Sequence, residues 1–95
     1  DADLEEADLT DAYLDYANLN RAYLYGANLS NTTLTGADLS YADLRHATLT
    51  TTFFHSADLP NADFTDAIVI DADFTNTYWY QTTWTDGIAY DESQA

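Results

Sequence analysis

Cysteine is absent from this chain, which excludes disulfides and thiolate metal sites and leaves the redox compartment open. Cations are scarce. Arg21 and Arg45 stand against 17 acidic residues, for a formal net charge of −15. Such a surface repels nucleic acid and anionic membranes, so neither direct nucleic-acid binding nor membrane association is expected; it suits basic partners or cations. No apolar run approaches the ~20 residues that cross a bilayer. Gly26, Gly36 and Gly87 are isolated, so no glycine-rich phosphate loop is present. The chain opens on Asp1 with no methionine and no signal-like segment. A cytoplasmic chain and a processed periplasmic, lumenal or secreted one fit that start equally.

What is present is order. A high charge often marks disorder, but 46% of the residues are hydrophobic and they follow one period. Cut in fives from Asp1, the chain reads DADLE, EADLT, DAYLD, YANLN and onward. The fourth position is Leu in ten consecutive pentads, from Leu4 to Leu49. It then reads Phe54, Leu59, Phe64, Val69, Phe74, Trp79, Trp84 and Ala89. The second position is Ala, replaced by Thr32, Thr52, Thr77 and Thr82 and finally Gly87. A helix would spread residues five apart around its circumference, and a flat strand would flip them between faces. The pattern therefore needs a short extended piece and a turn in every pentad, with no break in register expected to residue 90.

Ala-Asp-Leu recurs at 2–4, 7–9, 37–39, 42–44 and 57–59, Ala-Asn-Leu at 17–19 and 27–29, and Ala-Asp-Phe at 62–64 and 72–74. In these motifs the chain resembles the pentapeptide-repeat family. That resemblance implies an all-β solenoid: a right-handed quadrilateral, four-sided parallel β-helix with four pentapeptides per coil. The central Leu or Phe and the small residue two before it would point inward. Residues 1–90 would form about 4.5 coils, with 91–95 as a C-terminal tail. At ~4.8 Å per coil the rod would stand about 20–22 Å tall.

Period twenty then assigns each residue to a wall. One wall gathers the candidate acidic face, Asp3, Glu5, Glu6, Asp43, Asp63, Asp66 and Asp86. Many acids occupy the Asp of the motif, where a short acceptor can bond turn backbone; Glu5, Glu6 and Asp66 do not. Ile68, Ile70, Ile88 and Tyr90 are expected to share another wall as a contact patch. Trp79 and Trp84 read as capping or end-interface residues, with ordinary core residues as the alternative. Unpaired solenoid ends invite another chain. Together these make a homodimer through the C-terminal end the expected assembly, and some members of the resembled family dimerise through C-terminal coils.

Catalysis is not expected. His46 and His55 fall on walls almost opposite, no hydroxyl completes a triad with the His46–Asp66 column, and ligands for zinc are lacking. Asp63, Asp66 and Asp86 offer at most weak Ca²⁺ or Mg²⁺ binding, because carboxylates on a smooth wall rarely enclose an ion, so no cofactor or metal is assigned. The Thr-x-Thr pairs at 33/35, 48/50 and 83/85 lie on three walls and make no flat ice-binding array. The reading is a structural or protein-interaction module with an unidentified protein partner. The alternative is an acidic DNA mimic that binds DNA gyrase or another DNA-binding protein, as the resemblance implies for some members.

Overall fold

The computed structural model describes residues 1–90, the last two by backbone alone. The described residues are all-β, without a helix. Asp3 pairs with Tyr23, Tyr23 with Asp43, Asp43 with Asp63 and Asp63 with Thr83, all in parallel. Three further ladders run Asp8–Asn28–Thr48–Ile68, Tyr13–Thr33–Phe53–Asp73 and Asn18–Asp38–Asp58–Tyr78. Each partner lies twenty residues away, so the chain winds as a β-helix. Backbone amides close the rungs: Leu4 N donates to Tyr23 O at 2.8 Å, and Tyr23 N donates to Ala2 O at 2.8 Å. Where β-branched residues cluster, a rung widens into strands. β1 (Thr48–Thr50) and β2 (Ile68–Ile70) pair in parallel, with Leu49 opposite Val69.

Between rungs the chain turns a corner. Ala7 N donates to Leu4 O at 3.0 Å, and the same i to i+3 bond recurs at Ala12–Leu9, Ala17–Leu14 and Ala22–Leu19. Every fifth residue from Glu6 to Gln81 has positive φ, at the third position of this turn. That is the type II arrangement. Glycine fills it without strain at Gly26 and Gly36, and Asn or Asp tolerates it at several others. Tyr16, Arg21, Tyr41, His46 and the β-branched Thr51 adopt it as well, which shows the ladders overriding local preference.

The inward positions behave as the period requires. Leu24, Leu29, Leu34, Leu39, Leu44, Leu49 and Leu59 are fully buried, as are Phe54 and Phe64. Each such side chain contributes about 1.5–3 kcal/mol, largely offset by ordering entropy. Alanines 22, 27, 37, 42, 47, 57 and 62 are buried beside them. Threonine enters that small slot by finding an acceptor: Thr32 Oγ1 donates to Leu9 O at 2.7 Å, Thr52 Oγ1 to Leu29 O at 2.7 Å and Thr82 Oγ1 to Leu59 O at 2.6 Å. Leu4, Leu9 and Leu14 in the first coil are only half-buried.

The register expected to continue to residue 90 ends at Thr85. Asp86 and Gly87 turn the chain back, so that β4 (Ala89–Tyr90) pairs antiparallel with β3 (Thr82–Thr83), Thr82 opposite Tyr90 and Thr83 opposite Ala89. Trp84 N donates to Ile88 O and Gly87 N to Trp84 O, both at 3.0 Å. Gly87 has φ 80°, so Thr85-Asp86-Gly87 is a three-residue hairpin loop with a left-handed glycine at the bulge. Ala89 therefore does not stack on Val69. The tail at 91–95 lies outside the described residues.

Candidate functional site

The acids of the first ladder are held from below by their own turns. The carboxylate of Asp3 accepts from Glu5 N at 3.3 Å, that of Asp43 from Arg45 N at 3.1 Å and that of Asp63 from Thr65 N at 3.0 Å. Asp8, Asp38 and Asp73 bond the amide two residues on in the same way. Short acceptors at this position fasten the backbone as it enters the corner. Thr10 and Thr75 add hydroxyl donors, and these bonds draw the Asp8 and Asp73 carboxyls below their usual range.

The face is not uniformly negative. Arg45 forms a two-pronged pair with Asp43, Nε to Oδ1 at 2.9 Å and Nη2 to Oδ2 at 2.8 Å. The guanidinium holds the Asp43 carboxyl below its usual value, and its own charge is firmly retained. It also lies 5.2 Å from the Tyr25 ring centroid, and that ring is 5.1 Å from His46. His46 Nε2 stands 3.6 Å from Asp66 Oδ2, as the column spacing led one to expect. Tyr23 sits between Asp3 and Asp43 in the ladder. A hydrogen bond to Glu5, foremost, raises its phenol pKa. Glu6 packs its Cγ beside Gly26. Asp86 lies in the hairpin loop, where its carboxylate accepts from Ile88 N at 3.0 Å. The structure thus gathers Asp3, Glu5, Glu6, Asp43, Asp63 and Asp66 along one side, interleaved with Tyr23, Tyr25, Arg45 and His46. Among the described residues no group of three or more His, Cys, Asp or Glu side chains converges to hold a metal, and there is no cavity.

The candidate interface divides. Ile68 and Ile70 are exposed at 53% and 52%, on the outward face of β2. No strand among the described residues pairs with the C-terminal side of β2. Ile88 is exposed at 56% but belongs to the hairpin, and Tyr90 pairs with Thr82, so neither shares the β2 wall. The antiparallel return placed them elsewhere. Trp79 is a core residue, 2% exposed, and its indole N–H donates to Thr77 Oγ1 at 2.7 Å. Trp84 is half-buried and lies 5.4 Å from Phe64, 5.3 Å from Phe74 and 5.1 Å from Trp79 between ring centroids. It covers the aromatic end of the core. Signals for both corrections stand in the sequence: Asp86-Gly87 is a hairpin dipeptide, and the Thr at 77 offers the acceptor that a buried indole needs.

Comparison with known proteins agrees with this geometry. The family model for pentapeptide repeats matches in eight copies, over residues 2–40 and 37–76. Among solved structures, alr5209, a pentapeptide repeat protein from Nostoc PCC 7120, is 26% identical with a TM-score of 0.82, covering 96% of this chain and 77% of its own. HetL, a pentapeptide repeat protein involved in heterocyst differentiation regulation in the cyanobacterium Nostoc sp. strain PCC 7120, is 22% identical with a TM-score of 0.59, covering 94% of this chain and 54% of its own. No curated protein matches. The repeated motif, the twenty-residue ladders and these matches together establish that the chain belongs to the pentapeptide-repeat family.

Proposed function

We propose that the chain is a right-handed quadrilateral β-helix of just over four coils, 85 residues at twenty per coil, serving as a non-catalytic protein-interaction module. Residues 1–90 form one unit, the solenoid and its closing hairpin, followed by the 91–95 tail. The observation that carries the reading is the exterior. It has no cavity among the described residues, most of its motif acids are engaged in turn closure, and Ile68 with Ile70 forms an exposed aliphatic pair, as Tyr78 with Tyr80 forms an aromatic one. Above Asp8 the strand positions of that wall include Asn28, Ser30, Thr48 and Thr50, all uncharged, with Asp66 and Asp71 at the corners that flank β2. It is the side on which a second strongly acidic copy meets least repulsion. A homodimer is therefore formed laterally at the C-terminal end, through β2. Sedimentation velocity tests this: a dimer abolished by Ile68→Lys with Ile70→Lys supports it, and a parent that stays monomeric at every concentration sinks it.

A second reading, mimicry of duplex DNA toward gyrase or another DNA-binding protein, draws on charge density. B-DNA carries one charge per ~1.7 Å, so a 21 Å span holds about 12. The chain packs a net −15 into extents of 28 × 25 × 21 Å. Arg45 in the middle of the acidic side weighs against it. A gyrase supercoiling assay with the parent and a variant carrying Asn at positions 3, 43, 63 and 66 separates the readings. Inhibition lost in the variant would establish mimicry, and no inhibition by the parent would remove it.

A further inference from the structure

The twenty-residue register makes this solenoid a template for its own extension. Leu4, Leu9 and Leu14 of the first described coil are half-buried, and β2, Asp73 and Tyr78 end three ladders at the other end among the described residues. A first coil such as residues 1–20 of a second copy, laid on that end in register, would place its Leu4 over Val69, Leu9 over Phe74, Leu14 over Trp79 and Leu19 over Trp84. Its first three pentads would continue ladders that have no further rung among the described residues. Such a head-to-tail contact does not close on itself and grows into a filament.

The fourth pentad has no room. Its place, beyond Thr82–Thr83 on the first ladder, is taken by β4. The antiparallel strand also stands one to two strand spacings, ~5–9 Å, above the ends of the other three ladders, so an incoming coil meets a step. We infer that the Thr82–Tyr90 hairpin is a terminator that closes the C-terminal end of the β-helix to axial strand addition. Very short edge strands are a known means of blunting a sheet edge. Here the reversal depends on Gly87 in the left-handed conformation and on Asp86, whose carboxylate takes the Ile88 amide. Trp84 completes the closure by covering Phe64, Phe74 and Trp79.

The test opens the hairpin and reads size. Gly87→Val places a β-branched residue at φ 80°, and Tyr90→Pro removes the amide opposite Thr82. The double variant and the milder Gly87→Ala are compared with the parent by sedimentation velocity over a wide concentration range. High salt screens the −15 charge of each copy. Hydrogen exchange at Trp84, whose amide donates to Ile88 O across the hairpin, reports whether the hairpin has opened, and circular dichroism whether the coils persist. The expected result is an open-ended series of species in the double variant, growing with concentration, and a fixed size in the parent. Adding Leu9→Glu at the incoming end should restore the fixed size. A variant with intact coils and freely exchanging hairpin amides that keeps the parent's size overturns the inference. So does growth that Leu9→Glu leaves untouched. The closed lateral dimer is a separate outcome, since it neither grows nor depends on Gly87.

Discussion

The three glycines offer a comparison, because all have positive φ, at coil corners for Gly26 and Gly36 and in the hairpin for Gly87, and they differ in what lies above them. Gly26, Gly36 and Gly87 have φ of 69°, 68° and 80°. Alanine in this region costs about 1–2 kcal/mol in the folded chain, less about 0.4–1 kcal/mol recovered by restricting the unfolded one. At Gly87 an added Cβ meets nothing within 4 Å, so only this net backbone term applies. At Gly26 it comes within 3.2 Å of Glu6 Cγ, an exposed side chain that can move aside. At Gly36 it falls 2.5 Å from Tyr16 Cε1 and 2.7 Å from Cδ1, so the ring must leave its rotamer. That displacement adds roughly 0.5–1.5 kcal/mol. Gly36→Ala should therefore lower Tm more than Gly87→Ala, at about 4–8 °C per kcal/mol for a domain of this size. In a Tyr16→Ala background the excess should vanish, leaving Gly36→Ala equal to Gly87→Ala. Thermal and urea unfolding of the four chains of this cycle measure the coupling. Equal losses in both backgrounds would refute the claim that the ring rests on the Gly36 backbone.

Leu44→Asp should leave the chain unfolded at room temperature, since a buried carboxylate without a partner consumes most of a stability of about 5–15 kcal/mol, whereas Thr50→Lys, on the outward face of β1, should melt within a few degrees of the parent. Circular dichroism decides, and equal behaviour would show the inward register to be wrong. Thr77→Val should cost about 1–3 kcal/mol because the buried Trp79 N–H loses its acceptor, while Thr52→Val should cost only about 0.5–1.5 kcal/mol because Leu29 O keeps the Thr32 amide. Urea titration of the two variants ranks them. The Asp43 carboxyl is held below 3.8 by Arg45, so its contribution is fully present above that unfolded value and is lost as pH falls through the lower folded value. The Tm gap between the parent and Asp43→Asn should thus be constant from neutral pH to about 4 and close below it. A gap that closes between pH 7 and 5 would point to another group.

Legibility followed periodicity. The inward Leu and Phe positions, the buried alanines and the pairing of i with i+20 were all set by spacing, because a repeated pentad puts the same demand on the backbone each time. The Asx bonds of the motif acids were legible for the same reason. The His46–Asp66 contact followed from column arithmetic alone. The failures cluster where the repeat weakens. Extending the period to residue 90 hid the Asp86-Gly87 hairpin, and with it the separation of Ile88 and Tyr90 from Ile68 and Ile70. Trp79 looked like an end residue because its size departs from Leu, yet Phe64, Phe74 and Thr77 make room for it.

By itself, then, the sequence determined the path of the chain: a turn every five residues, a rung every twenty, Leu inward and acids outward. Local periodicity suffices for that, since each coil repeats the interactions of the one before. Only the tertiary structure decided how the solenoid ends and what its acidic side looks like. Termination is a competition between one more parallel rung and a hairpin, settled by Gly87 and by Trp84 over the aromatic core. The acidic side depends on how each side chain turns: Arg45 turned to Asp43 in its own rung, and His46 to Asp66 one rung on. Column arithmetic offers His46 its partner, but the repeat period specifies neither the hairpin nor the turn of Arg45 onto Asp43.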